Sequence, residues 1–196
     1  MKAFNLWSMD GIEVKDLGLQ RYVSLAPRIV PRSGGRYASD RFHKSKAFIV
    51  ERLINKLMNA GHKGKKHWRT SSHQTGKGLA AYRIVKDTLK LIEEKTKENP
   101  IKVFVQALEN AAPREEIVTI EYGGARYPKA VDCAPQRRID VALRLFTQGA
   151  FQRCFNTKVA VADALTDEIL SAYKFDQKSN AIAKKLELER QADASR

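Results

Sequence analysis

Histidines and paired carboxylates are the residues of this chain that would first suggest catalysis or metal binding. His62, His67 and His73 share one stretch, residues 61–78. A zinc site needs several N, S or O ligands converging on one point, and this stretch holds no cysteine and no acid. Histidines set among glycine and lysine more often meet phosphate or water, so no metal is expected. Glu93 and Glu94 have Lys97 and Lys90 at four-residue spacing, the arrangement of solvent-face ion pairs on a helix. Glu115-Glu116 is the other acidic pair. A two-metal nuclease needs acids gathered at one spot, yet residues 21–90 offer only Asp40, Glu51 and Asp87. Serine-hydrolase, Walker, zincin and kinase motifs are absent, and Gly76-Lys77-Gly78 lacks the upstream glycine of a phosphate loop. These residues predict no enzyme, no cofactor and no metal.

Charge points elsewhere. Residues 21–90 carry 17 Lys/Arg against 3 Asp/Glu, a net +14 that equals the net charge of all 196 residues. So basic a segment repels itself unless a polyanion lies against it, and nucleic acid is the dense, regular polyanion of the cell. The pI of about 9.9 agrees. Arg28, Arg32, Arg36, Arg41, Lys44 and Lys46 lie on one arm, and Lys63, Lys65, Lys66, Arg69 and Lys77 in one loop. Aromatic rings are interleaved: Tyr22, Tyr37, Phe42 and His43 on the arm, His67 and Trp68 in the loop. Rings stack on bases while neighbouring cations take phosphates. The alternative is that Phe42 and Trp68 anchor each segment to the core. For Trp68, set between Lys65-Lys66-His67 and Arg69, RNA contact is the better reading. Gln136-Arg137-Arg138 opens a helix, where guanidiniums and unpaired backbone N–H groups could share a phosphate.

These residues need elements to position them. Pro27, Pro31 and Ser33-Gly34-Gly35 break helix and strand alike, so residues 21–44 read as an irregular arm. Residues 1–20 read as an extension docked by Phe4, Leu6 and Trp7. Val50, Leu53, Ile54, Leu57 and Met58 recur on one helical face, giving a helix over 46–59 that Gly61 can close. The polar loop 61–78 has almost nothing to bury and would be disordered alone. Further apolar stripes predict helices over 79–97, 101–110, 136–152 and 158–174, with a polar surface helix over 179–191. Asn99-Pro100 is a cap and first-turn signal. Between them, 115–122 and 126–131 read as strands joined by a Gly123-Gly124 turn. The fold class is therefore mainly α: a single domain of about six helices with basic extensions and one β-hairpin, which must pack on the helices or protrude as an arm that a partner holds. Its parts are an extension and arm (1–44) and a helical domain (45–196) with a basic loop (61–78) and hairpin (115–131). Two cysteines, Cys133 and Cys154, fit a reducing compartment. No apolar run is long enough to span a bilayer, the first residues lack a signal-peptide core, and no basic amphipathic helix suggests a membrane surface. A cytoplasmic protein is expected.

A helical body with basic extensions and a β-arm fits either a DNA-bending architectural protein or a ribosomal protein. The irregular arm and the Gly/His/Lys loop favour the second. Several strings resemble the small-subunit ribosomal protein number seven family, in family order: Val50–Met58, Leu91–Thr96 with Asn99-Pro100, Ala107–Arg114, Gly123–Pro128, Pro135–Arg138 and Asn180–Lys185. The longer residues 1–35 and the loop His62–Gly78 look like the archaeal and eukaryotic branch. The resemblance implies a primary binder of the 3′ major domain of small-subunit rRNA that helps the subunit head assemble. It also implies exit-site tRNA and mRNA near the hairpin tip (Gly123, Gly124, Ala125, Arg126, Tyr127) and near Lys184 and Lys185, with neighbouring head proteins as partners. Position 134 is Ala where the family often has a Ser cap.

Overall fold

The computed structural model describes residues 2–63, 66–67 and 76–196, with only the backbone of Lys63, Lys66 and His67. Among them the order is α1 (Leu17–Gln20), α2 (Ile49–Leu57), β1 (His62–Lys63), β2 (Lys66–His67), α3 (Gly78–Thr96), α4 (Pro100–Ala111), β3 (Glu115–Tyr122), β4 (Ala125–Asp132), α5 (Pro135–Cys154), α6 (Val161–Tyr173) and α7 (Asn180–Asp193). A 3-10 turn spans His43–Lys46. This is a mainly helical domain with one long antiparallel hairpin. None of the described helices is long and apolar enough to cross a membrane.

α4 is apolar nearly all round, and Ile101, Val103, Phe104, Val105, Ala107, Leu108 and Ala111 are all buried. Such a helix must be central. α3, α5, α6 and α7 pack around it, and Phe104 meets Phe146 of α5 with ring centroids 6.5 Å apart. The Asn99 side chain accepts from Ile101 N at 3.1 Å, and Pro100 fills the first turn, as the sequence signal required. α3 stops where Lys97 turns left-handed (φ +57°).

α2 starts three residues later than its periodicity suggests. Ala47 and Phe48 are extended because the arm pairs there: Ser24 and Phe48 form a parallel bridge, and Ile49 N donates to Ser24 O at 3.1 Å. The first twenty residues dock through Phe4 and Trp7, both 4% exposed, whereas Leu6 is 47% exposed. That corrects the expected use of Leu6. Phe4 stacks on Tyr82 of α3 at 5.3 Å, and Trp7 Nε1 donates to Glu93 Oε2 at 2.8 Å. α1 has only four residues, too few for a periodic signal.

β3 and β4 pair from Glu115↔Asp132 to Tyr122↔Ala125. Gly123 (φ +58°) and Gly124 (φ +81°) close the two-residue turn, the doubly positive geometry that matches strand twist. Eight residues per strand extend about 25 Å at the usual rise. Only the base is sheltered, mainly by α7, and residues 118–129 are exposed. α7 is less superficial than its composition suggests: Ala181, Ile182 and Ala192 are buried.

Candidate nucleic-acid interface

The basic arm lies over α2 and is fixed to it at several points. Arg52 is the main one. Its side chain is 6% exposed; Nη1 donates to Tyr22 O at 3.1 Å and Nη2 to Asp140 Oδ1 of α5 at 3.1 Å. Lys44, at the far end of the arm, also pairs with Asp140. Further along, Ser33 N donates to Glu51 Oε1 at 2.7 Å. Asp140 therefore clasps arm, α2 and α5 together. Burial alone would raise its carboxyl, but the hydrogen bond from Lys44 and the charges of Arg52, Lys44 and Lys56 outweigh that and hold it below 3.8. Burial, more than the repulsion of Lys44, Arg144 and Arg52, lowers Lys56. Lys44, Arg52, Lys56 and Arg144 thus gather around one carboxylate, and the cluster keeps a positive surplus.

Out from this clasp the cations face water. Arg28, Arg32, Arg36, Arg41 and Lys46 are exposed, and among the described residues none pairs with a carboxylate. His43 lies 3.1 Å from Asp40. Phe42 is 62% exposed, so it does not anchor the arm to the core. Tyr22 packs against the core and Tyr37 is half-buried. In the loop, β1 and β2 pair as His62↔His67 and Lys63↔Lys66, and Lys77 is exposed beside α3. The expectations for Lys65, Trp68, Arg69 and His73 lie outside the described residues, as do the side chains of Lys63, Lys66 and His67.

The back of the molecule uses its cations differently. Arg137 pairs with Glu116 of β3 at 2.6 Å. Arg138 is 8% exposed; it donates to Pro113 O at 3.0 Å and to Asp16 Oδ2 at 2.7 Å. Gln136 is 7% exposed, and its side-chain N and O have no partner among the described residues. Of the three residues of the expected phosphate site, Gln136, Arg137 and Arg138, Arg137 is the exposed one. Asp16 of the N-terminal extension reaches over the helix start to hold Arg138. The helix does begin uncapped at Ala134.

On α7, Lys184 pairs with Glu187 at 2.7 Å. Lys185 donates to Asn110 O at 2.8 Å, lies 5.5 Å over the Phe175 ring, and burial lowers its pKa. Lys185 is thus a brace rather than an open cation. At the same end Glu189 Oε1 accepts from Arg114 N at 3.1 Å and Arg196 pairs with Glu115 at 2.5 Å, so α7 grips the hairpin base. Its own N-terminus is held by Glu168 of α6, fully buried, which accepts from Ser179 Oγ at 2.8 Å and Ala181 N at 3.1 Å. Arg153 Nη2 lies 3.2 Å from Glu168 Oε2, close enough for an ion pair though not aligned as a hydrogen bond. Gly149 leaves the space, since a Cβ there would sit 2.7 Å from Glu168 Cδ. At the tip Arg126 lies 3.6 Å from Glu121, and Tyr122 and Tyr127 are 81% and 58% exposed.

Sequence reasoning missed Arg144 as a candidate contact. Arg144 was within reach: it falls four residues after Asp140, on one helical face. Among the described residues, no group of His, Cys, Asp and Glu is arranged to hold a metal. Cys133 and Cys154 are both free thiols, and burial raises both, Cys133 to about 11.

Residues 19–196 match the family described as Ribosomal protein S7p/S5e. The chain is 53% identical over 196 residues to the small ribosomal subunit protein uS7 of Nanoarchaeum equitans, covering 100% of this chain and 99% of that one. It is 44% identical over 196 residues to the uS7 protein of Methanothrix thermoacetophila, with both chains fully covered. Against that of Archaeoglobus fulgidus it is 45% identical over 194 residues, 99% of this chain and 94% of the other.

Proposed function

The chain belongs to the uS7 family of small-subunit ribosomal proteins, on its archaeal branch, and on that premise we propose that it is a primary binder of the 3′ major domain of the small-subunit rRNA. Family membership makes it a structural, RNA-binding constituent of the ribosome rather than an enzyme, with ribosomal RNA and ribosomal proteins as partners. In the finer reading it nucleates head assembly in the cytoplasm. The arm, through Arg28, Arg32, Arg36, Arg41 and Lys46, holds phosphates, and the loop 61–78 adds to that surface. The hairpin tip, Gly123 to Tyr127, stands near exit-site tRNA and the mRNA exit path, and Lys184 of α7 is assigned to the same partners.

One observation carries the RNA assignment: a row of exposed cations, without carboxylate partners among the described residues, is clamped to the helical body by Asp140, so the charge is presented rather than neutralised. The hairpin supports a separate role because its exposed part makes no contribution to the core. Deleting residues 121–127 is expected to leave binding to a 3′-major-domain rRNA transcript unchanged while altering tRNA retention or mRNA placement on assembled subunits. An equal loss of rRNA affinity would contradict this division of labour.

A further inference from the structure

A cleft of about 1080 Å³ opens between the arm and the helices α2 and α3. Its floor is apolar, formed by Ile54 of α2, by Met58 just after it, and by Leu79 and Tyr82 of α3. Leu79 is 63% exposed, an apolar side chain left facing the opening. Arg32, Lys77 and Arg83 stand on the rim, exposed, and pair with no carboxylate among the described residues. Tyr37 of the arm and Asn55 of α2 complete the walls. The one acid among the described residues of the cleft, Glu51, is 5% exposed and already accepts from Ser33 N, an interaction that fixes the Gly34-Gly35 wall.

We propose that this cleft receives an unpaired nucleotide of the RNA, its base against the apolar floor and Tyr37, its flanking phosphates on Arg32, Lys77 and Arg83. The inference rests on the RNA-binding reading above and specifies which RNA chemistry the arm side takes. A duplex offers a protein only phosphates, 2′-hydroxyls and groove edges, because its base faces are stacked away. Phosphates gain nothing from Leu79, Met58 and Ile54. An extruded base carries both an apolar face and polar edges, and matches an apolar floor with the Asn55 amide at its side. The charge on the rim fits the same ligand, and the volume lies just above the range for small-ligand sites, about 300–1,000 Å³, which leaves room for the flanking phosphates.

The test uses the full chain and two probes, a fluorescein-labelled single-stranded uridine octamer and a labelled RNA hairpin with a fully paired twelve-base-pair stem. Tyr37→Ala and Leu79→Ser, which change no charge, are each expected to weaken octamer binding about tenfold, the scale of one lost stacking contact, and to leave stem binding within about twofold. Lys77→Ala with Arg83→Ala should lower the salt slope for the octamer by about 0.7 per cation. Octamer affinity unchanged in both neutral variants, as would follow if the cleft served a protein segment instead, overturns the proposal. So does an equal loss for octamer and stem. If the unaltered chain bound neither probe nor an rRNA transcript, the RNA-binding reading itself would fall, which separates the two failures.

Discussion

Residues 21–90 and residues 91–196 contain equal numbers of basic side chains, 17 each, but 3 and 16 acidic ones. The same guanidinium groups consequently do different work. In the back half Arg137 meets Glu116, Arg153 meets Glu168, and Arg196 meets Glu115, contacts that tie α5, α6, α7 and the hairpin base together. In the front half carboxylates are scarce. One imported from α5, Asp140, fixes the arm through Lys44 and Arg52, and the remaining arm cations stay exposed. Charge is structural where acids supply partners and is left for an external anion where they do not.

The comparison is sharpest if the two kinds of arginine are removed in parallel. Replacing Arg28, Arg32, Arg36 and Arg41 together by Ala should reduce rRNA affinity about a thousandfold at 0.1 M salt relative to 1 M, since each lost phosphate contact lowers the salt slope by roughly 0.7–0.9. The urea midpoint of the free protein should scarcely move, because exposed, unpaired side chains contribute within about 0.5 kcal/mol. A slope that stays the same would place the arm off the RNA. Arg138→Ala should do the reverse. It strands Asp16 and Pro113 O and should cost about 3 kcal/mol of stability, the low end for breaking a buried pair because Asp16 is partly exposed. Its salt slope for RNA should match that of the unaltered chain; a lower slope would return Arg138 to the interface.

The smallest contrast, about 1 kcal/mol on the scale of one net hydrogen bond, lies in acid–base behaviour. Asp140 has its folded pKa held below 3.8. Its stabilisation is therefore present above the unfolded value and lost as pH falls through the folded one. Glu168 is shifted the other way: burial raises it above 4.5, against the hydrogen bonds from Ser179 and Ala181 and the charge of Arg153. Its contribution is full below the unfolded value and declines as pH rises through the folded one. Urea midpoints measured from pH 3 to 8 should show Asp140→Asn flattening the acid limb below about pH 4 and Glu168→Gln flattening the decline above about pH 4.5. The same pH dependence in both variants would remove the distinction between the two carboxylates.

Much of this was legible in the chain itself. The helices announced themselves by apolar spacing, the hairpin by a change of period and Gly123-Gly124, and α4 by Asn99-Pro100, because each signal is local. α2 begins three residues later than its apolar spacing suggests, since the arm's bridge at Phe48 overrides helical spacing there. α1 and the role of Gly149 had no local signal: four residues show no period, and a helical glycine gives no hint of the Glu168 carboxylate pressed against it.

What the sequence determined by itself was the six long helices and the hairpin, the partition of charge between the halves and the family. Only the tertiary structure decided which cations remain available. Arg137 and Arg138 are neighbours of one type, yet one lies on the surface beside Glu116 and the other is drawn inside by Asp16, 122 positions away. Lys44 is claimed by Asp140 across 96 positions. An arginine's freedom depends on whether the fold brings a carboxylate or carbonyl within hydrogen-bond reach, and hydrophobic periodicity, being local, carries no record of that distance.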